Sequence, residues 1–316
     1  MIKVGIVGGA GYTAGELLRI LLNHPEANIT FVNSTSNAGN KLYDVHEGLY
    51  GETEMTFTDM LPLDEIDVLF ICSGHGDSKK FLDANQVPEN VKIIDLSQDF
   101  RDESNGFVYG LPELNKERII NATKIANPGC FATAIQIGLL PLAAAGLLKN
   151  EIHTNGITGS TGAGVKPGAT SHFSWRNNNI SIYKAFTHQH LIEIGMTIRN
   201  LQPSFDKDIN FLPVRGDFSR GIYVSQYTEC DLDEEAAIKL YKDFYKDSAF
   251  TFVMDKNPDL KQVVNTNKGI VHVEKHGNKL LIISMIDNLL KGASGQAVQN
   301  FNLMFGLDEK MGLNLK

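Results

Sequence analysis

The chain has 316 residues, a length that argues for two domains at about 100–200 residues each. It carries 29 Lys and Arg against 37 Asp and Glu, a net −8 with only 21 % charged residues, and so lacks the clustered cations of a generic nucleic-acid binder. With 42 % hydrophobic residues it is too apolar for a disordered chain; its three scattered cysteines (Cys72, Cys130, Cys230) exclude a disulfide scaffold or a cysteine zinc ribbon, and no apolar run approaches the ~18 residues of a membrane span.

The opening residues, Met1-Ile2-Lys3-Val4-Gly5-Ile6-Val7, run straight into a strand pattern without the cleavage region of a signal peptide. A cytoplasmic protein with reduced thiols is therefore expected. Strands follow at Lys3–Val7, Ile29–Val32, Val68–Cys72, Val91–Asp95 and Lys124–Ala126. Each is a nearly continuous apolar run, the mark of strands buried on both faces of a parallel sheet. Glu16–Leu22 reads as a helix stopped by Asn23-His24-Pro25. Repeated strand–helix–strand units predict a Rossmann-type doubly wound α/β domain. Past residue 150 the strands become longer and more alternating: Thr154–Ser160, Gly221–Thr228, Ile270–Lys275 and Lys279–Ile286, the last two a hairpin around His276-Gly277-Asn278. A helix over Glu234–Tyr245 has Asp231 and Asp233 as caps, and Gly295–Phe305 is helical again. The second part therefore reads as an α+β domain with a largely antiparallel sheet.

Gly8-Gly9-Ala10-Gly11-Tyr12-Thr13 lies between the first strand and the first helix. Glycines there allow a tight turn and close approach of a pyrophosphate to the N–H groups of a helix start. The spacing is not the strict G-x-G-x-x-G, and a tight turn without ligand is the competing reading. Where NAD sites place an acidic residue for the ribose 2′-OH, this chain has Asn33-Ser34-Thr35-Ser36, followed by Lys41. Ser34, Ser36 and Lys41 suit a 2′-phosphate, which predicts NADP(H).

Asn127-Pro128-Gly129-Cys130 follows the fifth strand, and Thr133–Leu140 reads as a helix running to Pro141. Cys130 thus sits at or just before a helix N-terminus, where the partial positive charge favours a thiolate. A thiolate facing a nicotinamide forms a thioester or thiohemiacetal that exchanges hydride. Cys72 and Cys230 read as small core hydrophobes. His188-Gln189-His190 lies in a loop entering a helix marked by Leu191, Ile194, Ile198 and Leu201. Either histidine can pair with a thiolate or serve as a general acid. A zinc site made of the histidines and a thiolate lacks a third ligand at convincing spacing, so no metal is expected.

Asn127-Pro128-Gly129-Cys130 resembles the signature of the N-acetyl-γ-glutamyl-phosphate reductases of arginine biosynthesis, within the aspartate-semialdehyde dehydrogenase-like superfamily. Further blocks resemble family motifs in the same order: Gly11-Tyr12-Thr13 with Glu16-Leu17, Asp95–Arg101, Tyr109–Leu114, Ser160-Thr161-Gly162-Ala163-Gly164, His188-Gln189-His190, Arg220-Gly221-Ile222 and Lys291–Ala297. The resemblance implies an NADP-binding domain of residues 1–130 and 292–316, a catalytic and oligomerisation domain of 131–291, and a homodimer or homotetramer. It implies NADPH-dependent reduction of N-acetyl-γ-glutamyl phosphate through a Cys130 thioester, with His190, or else His188, as acid. Ser73 and Gly162 join the cofactor contacts. It further implies Arg101, Asn127, Ser160 and Arg220 as contacts of an anionic substrate and phosphate, with a structural salt bridge as the competing role of either arginine. Three positions depart from the family pattern: Gln189 for Arg, Ile192 for Pro and Val214 for His. Arg215 is an extra cation without a family counterpart. The same chemistry on aspartyl phosphate or a carrier-bound glutamyl phosphate is an alternative, and so is a non-catalytic NADP-binding redox sensor.

Overall fold

The computed structural model describes residues 1–166 and 168–313. Pro167 and residues 314–316, the end of the expected first domain, lie outside the described residues. The chain forms two compact units, Met1–Gly129 with the C-terminal residues from Ala293, and Cys130–Gly292.

The first unit opens with β1 (Ile2–Val7), α1 (Tyr12–Leu21), β2 (Ala27–Asn33) and α2 (Leu42–Val45). It continues through β3 (Val68–Ile71), α3 (Asp77–Ala84), β4 (Lys92–Asp95), β5 (Val108–Tyr109), α4 (Pro112–Ile120) and β6 (Lys124–Ala126). The strands form one parallel sheet in the order β2-β1-β3-β4-β6-β5. Ile6 lies between Val32 and Phe70 in register, and all three are buried. Apolar residues on both faces of the strands are what helix-covered parallel sheets demand. α1 buries Ala14, Leu17, Leu18 and Leu21, the 3-and-4 spacing of one helix face.

The second unit contains α5 (Cys130–Ala144), β7 (Ile152–Thr158), α6 (Phe173–Arg176), β8 (Ser181–Ile182), α7 (His190–Leu201), β9 (Ile209–Arg215) and β10 (Ile222–Glu229). It ends with α8 (Glu234–Tyr245), β11 (Thr251–Val253), β12 (Gly269–His276) and β13 (Lys279–Ile286). Its sheet runs β11-β12-β13-β10-β7-β9-β8; β11–β12 and β7–β9 pair parallel and the other neighbours antiparallel. Gly277 closes the β12–β13 hairpin, and the Asp233 carboxylate caps α8 by accepting from the Ala236 N–H at 2.8 Å. α9 (Gly295–Met304) then returns to the first unit. There the Asn302 and Asn300 side chains bond His24 and the Gly110 carbonyl, both at 2.9 Å.

Two expectations are corrected. β7 ends at Thr158 rather than Ser160, because the Ser160 N–H turns aside to the Phe218 carbonyl at 2.8 Å. α5 does not stop before Pro141 but passes through it to Ala144. Proline removes the N–H that would reach the Ile137 carbonyl. The Tyr245 hydroxyl supplies that bond at 2.5 Å, and the Tyr241 hydroxyl bonds the next carbonyl, Gly138, at 2.6 Å. α8 thus repairs the defect in α5.

Candidate active site

In the first unit the glycine loop is built for close backbone approach. Gly8 has φ +77°, and a Cβ there would lie 2.8 Å from the Cys72 carbonyl carbon and the Ser73 nitrogen. The Gly9 N–H bonds the Asn33 carbonyl at 2.9 Å, while the Gly9 carbonyl is pinned by His46 Nε2 at 2.7 Å. Gly11 is the N-cap of α1; no side chain caps it, no acidic residue stands in the first turn, and a Cβ on it would meet open space. An uncapped helix start with room before it is a ready anion site. Ala10 lies in this loop and the Tyr12 side chain is exposed at the helix start, while the Thr13 carbonyl accepts from Ser294 Oγ at 2.7 Å. At the end of β2, Asn37 Nδ2 donates to both Ser34 Oγ (3.0 Å) and Ser36 Oγ (3.1 Å). Lys41 Nζ bonds the Glu54 carbonyl at 2.7 Å and its carboxylate at 3.1 Å, an exposed pair of the kind worth little. Gly162 stands on an exposed turn of the second unit.

The Cys72 thiol is pushed up to about 12, chiefly by desolvation and then by the Asp95 charge, against a hydrogen bond from Thr13. It is inert as a nucleophile at neutral pH, and Cys230 is buried. Cys130 differs from both. It is the first residue of α5, half-exposed at the end of a helix whose interior residues are almost all buried. A Cβ on Gly292 would lie 2.9 Å from the Cys130 Cβ, so the absence of a side chain there leaves the cysteine its place.

Both histidines reach this end of the second unit. The His188 ring is enclosed by Phe131, Tyr183, Phe211 and His190, with centroids 4.6–5.7 Å away. Its Nδ1 accepts the His190 N–H at 3.2 Å, so the neutral ring carries its proton on Nε2. Desolvation and, secondarily, Lys184 lower its pKa to about 4. His190 opens α7, stands edge-on to Phe131, and holds Nε2 4.0 Å from the buried Glu193 carboxylate. His188 is thus enclosed by rings, whereas His190 stands beside a carboxylate. Among the described residues, no three His, Cys, Asp or Glu side chains gather as a metal site.

The expected anion-binding residues divide. Asn127 is buried, donating to the Ala293 carbonyl at 3.0 Å and accepting from Asn300 at 3.1 Å. Arg101 is also buried, with Nε on the Asn127 carbonyl (2.9 Å) and Nη2 on the Leu96 carbonyl (3.3 Å). Both tie loops after β4 and β6 together inside the first unit. Ser160 opens a short turn after β7 in the second unit. Arg220 forms a two-pronged pair with Asp287, Nε–Oδ2 3.0 Å and Nη2–Oδ1 3.1 Å. Asp287 is fully buried and also accepts the N–H groups of Asn265, Leu289 and Leu290.

Two family models cover most of the chain: the NAD-binding domain of semialdehyde dehydrogenases over residues 3–122, and their dimerisation domain over 130–288. An N-acetyl-γ-glutamyl-phosphate reductase of Parabacteroides distasonis is 65 % identical across all of this chain and 99 % of its own. The chain belongs to the N-acetyl-γ-glutamyl-phosphate reductase family. The reductase of that name from Phocaeicola vulgatus is 64 % identical, and that from Flavobacterium johnsoniae 56 %, each over all of this chain and 99 % of the relative. The fold is shared more widely. An aspartate semialdehyde dehydrogenase II of Vibrio cholerae, at 17 % identity, superposes with a TM-score of 0.74 over 97 % of this chain and 98 % of that one. The Candida albicans enzyme solved with NADP gives 0.75 at 13 % identity, over 96 % and 99 %.

Three residues of this reductase-family chain near the sites escaped sequence reasoning. His46 props the glycine loop from 37 positions away, with no local pattern to announce it. Tyr183 packs on the same core as Cys130, and its hydroxyl is pushed up to about 12 by desolvation and then by Cys130, against the pull of Arg215. The Arg215 guanidinium lies over the Tyr183 ring, 4.6 Å from its centroid. The usable signal was the unassigned cation itself. Lys184 and Phe186, flanking this tyrosine, adopt left-handed φ of 45° and 59°, a strained backbone of the kind concentrated at functional sites.

Proposed function

We propose that this chain reduces N-acetyl-γ-glutamyl phosphate to N-acetylglutamate 5-semialdehyde and phosphate with NADPH, through a thioester on Cys130. The observation that carries the reading is Cys130 as the first residue of a buried helix in a chain 65 % identical, end to end, to a reductase of that name. The helix N-terminus favours the thiolate, which attacks the acyl carbon as the phosphate oxygen leaves. N–H groups of the first turn of α5 face the oxyanion of the tetrahedral species. NADPH, when bound, supplies the hydride that reduces the thioester carbon. His190 lends a proton to the oxygen of the resulting thiohemiacetal and takes it back as the carbon–sulfur bond breaks, returning the thiolate and releasing the aldehyde.

The uncapped start of α1, the crowding that only glycine tolerates at Gly8, and the open space at Gly11 fit a pyrophosphate over residues 8–13. Ser34, Ser36 and Lys41, with no carboxylate at the end of β2, fit a 2′-phosphate. In this reading Ser73 and Gly162 complete the cofactor contacts, and Ser160 lies with the substrate. The first unit is the nucleotide domain and the second the catalytic and self-association domain of a homodimer or homotetramer. Exposed Phe173, Ile180, Ile182, Phe186 and Ile192 on the second unit suit such an interface. Among the described residues no helix is long and apolar enough to cross a membrane, and we place the enzyme in the cytoplasm.

The test is phosphate-dependent NADP reduction with N-acetylglutamate semialdehyde, run beside aspartate semialdehyde. Cys130→Ser should abolish turnover and leave NADPH binding intact; near-normal turnover in that variant refutes the mechanism. NAD binding as tight as NADP would refute the cofactor assignment.

A further inference from the structure

Two arginines of the second unit, Arg176 and Arg215, make no ion pair among the described residues. Arg176 is 5 % exposed, yet its hydrogen bonds all end on neutral acceptors: the carbonyls of Thr170 (2.9 Å), Asn179 (3.0 Å) and Arg215 (2.7 Å), and Ser181 Oγ (3.0 Å). Arg215, at the end of β9 opposite Thr158 and Ser181, stacks its guanidinium on Tyr183, and its Nε is buried without a hydrogen-bond partner. Among the described residues no carboxylate makes an ion pair with either arginine. The acid closest in sequence, Asp217, is exposed and accepts the Asn178 N–H at 2.7 Å. Two neighbouring guanidiniums repel each other, and burial, followed by the Arg215 charge, lowers the Arg176 pKa against the opposing pull of Asp217. Such an arrangement is completed by an anion.

We infer that Arg215 binds a carboxylate of the acyl substrate at the Cys130 site, with Arg176 behind it as the second positive charge. The inference rests on the function proposed above. Tyr183 links the charge to the chemistry, since its ring carries the Arg215 guanidinium and its hydroxyl feels both Cys130 and Arg215. Arg220, the candidate favoured by the sequence, already holds a carboxylate, Asp287, in its fork. Arg215 has its Nε without a hydrogen-bond partner, and a guanidinium is the natural partner of a carboxylate. A phosphate departs when the thioester forms. A cation that retains the substrate through both half-reactions must hold a group that stays, and the carboxylate stays.

The reaction run backwards separates the two anions, because phosphate and semialdehyde are then distinct substrates with their own KM values. Arg215→Met should raise KM for the semialdehyde about 10- to 100-fold, the loss of one charge-assisted contact, and leave KM for phosphate unmoved. Arg215→Lys, which keeps the charge but not the fork, should raise it less. An unmoved semialdehyde KM, or a rise in the phosphate KM instead, overturns the inference. Alkylation of Cys130 by iodoacetate against neutral iodoacetamide, followed on the Cys130 peptide by mass, reads the same site without turnover. The iodoacetate-to-iodoacetamide rate ratio should fall several-fold in Arg215→Met. If the wild-type chain turns over no semialdehyde, the proposed function fails while this ratio still decides on Arg215, and an unchanged ratio overturns it. If the methionine variant does not fold, the lysine variant decides, and no rise in its semialdehyde KM overturns the inference.

Discussion

The connection from β9 to β10 begins and ends near an arginine, and the two meet opposite fates. Arg220 is locked edge-on to a fully buried aspartate that also gathers three backbone N–H groups. Arg215, five residues earlier in sequence, has an aromatic face beneath it and no carboxylate among the described residues within ion-pair reach. One guanidinium has its carboxylate inside the fold; the other has none among the described residues. The histidines differ as well: His188 is enclosed in an aromatic cage and accepts a backbone N–H, whereas His190 faces a carboxylate. Residue type and spacing do not distinguish the members of either pair. What distinguishes the two arginines is whether the fold has already supplied a carboxylate.

If that division is right, substitutions on the architectural side cost stability and those on the binding side cost function alone. Asp287→Ala strands the Arg220 charge and three N–H groups, and should lower unfolding free energy by about 3–5 kcal/mol in denaturant titrations. A loss below about 1 kcal/mol would put Arg220 on the other side of the comparison. His188 is expected next, through pH. Its pKa falls from an ordinary 6.5 to about 4 on folding, so the unfolded chain binds the proton first as pH drops. Its contribution is intact above pH 6.5 and is lost as pH falls toward about 4, by roughly 2–3 kcal/mol in all. His188→Asn, which keeps an acceptor for the His190 N–H, should flatten that slope between pH 7 and 5. Tyr245→Phe leaves the Ile137 carbonyl of α5 without its donor and should cost about 1–3 kcal/mol by thermal or chemical unfolding. The smallest effect falls to Arg215→Met, whose stability change should stay within about 1 kcal/mol in the same titrations. A larger loss would make Arg215 architecture too.

The sequence declared what local chemistry controls. Continuous apolar runs announced β1, β3 and β6, because a strand covered on both faces has no polar side to show. Pro128-Gly129 marked the turn that starts α5 at Cys130. Features made by distant partners stayed hidden. The passage of α5 through Pro141 depends on hydroxyls 103 and 108 positions from the carbonyls they satisfy. Strand β8 is two residues long and has no period to read. The hydrogen bonds of Asn127 and Arg101 to loops far away in sequence inside the first unit were likewise hidden. A guanidinium serves an internal acceptor as well as a bound anion, so residue type alone does not decide the role of Arg101 or Arg220.

The proline in α5 also imposes an order in time. A ribosome adds about 5–20 residues per second, so the hydroxyls of Tyr241 and Tyr245, more than a hundred residues downstream, emerge many seconds after the helix they complete. Until then the Ile137 carbonyl, deprived by Pro141 of its helical donor, lacks the hydroxyl that completes it. The helix that opens at Cys130 therefore gains its last hydrogen bonds only when α8 has been made and docked.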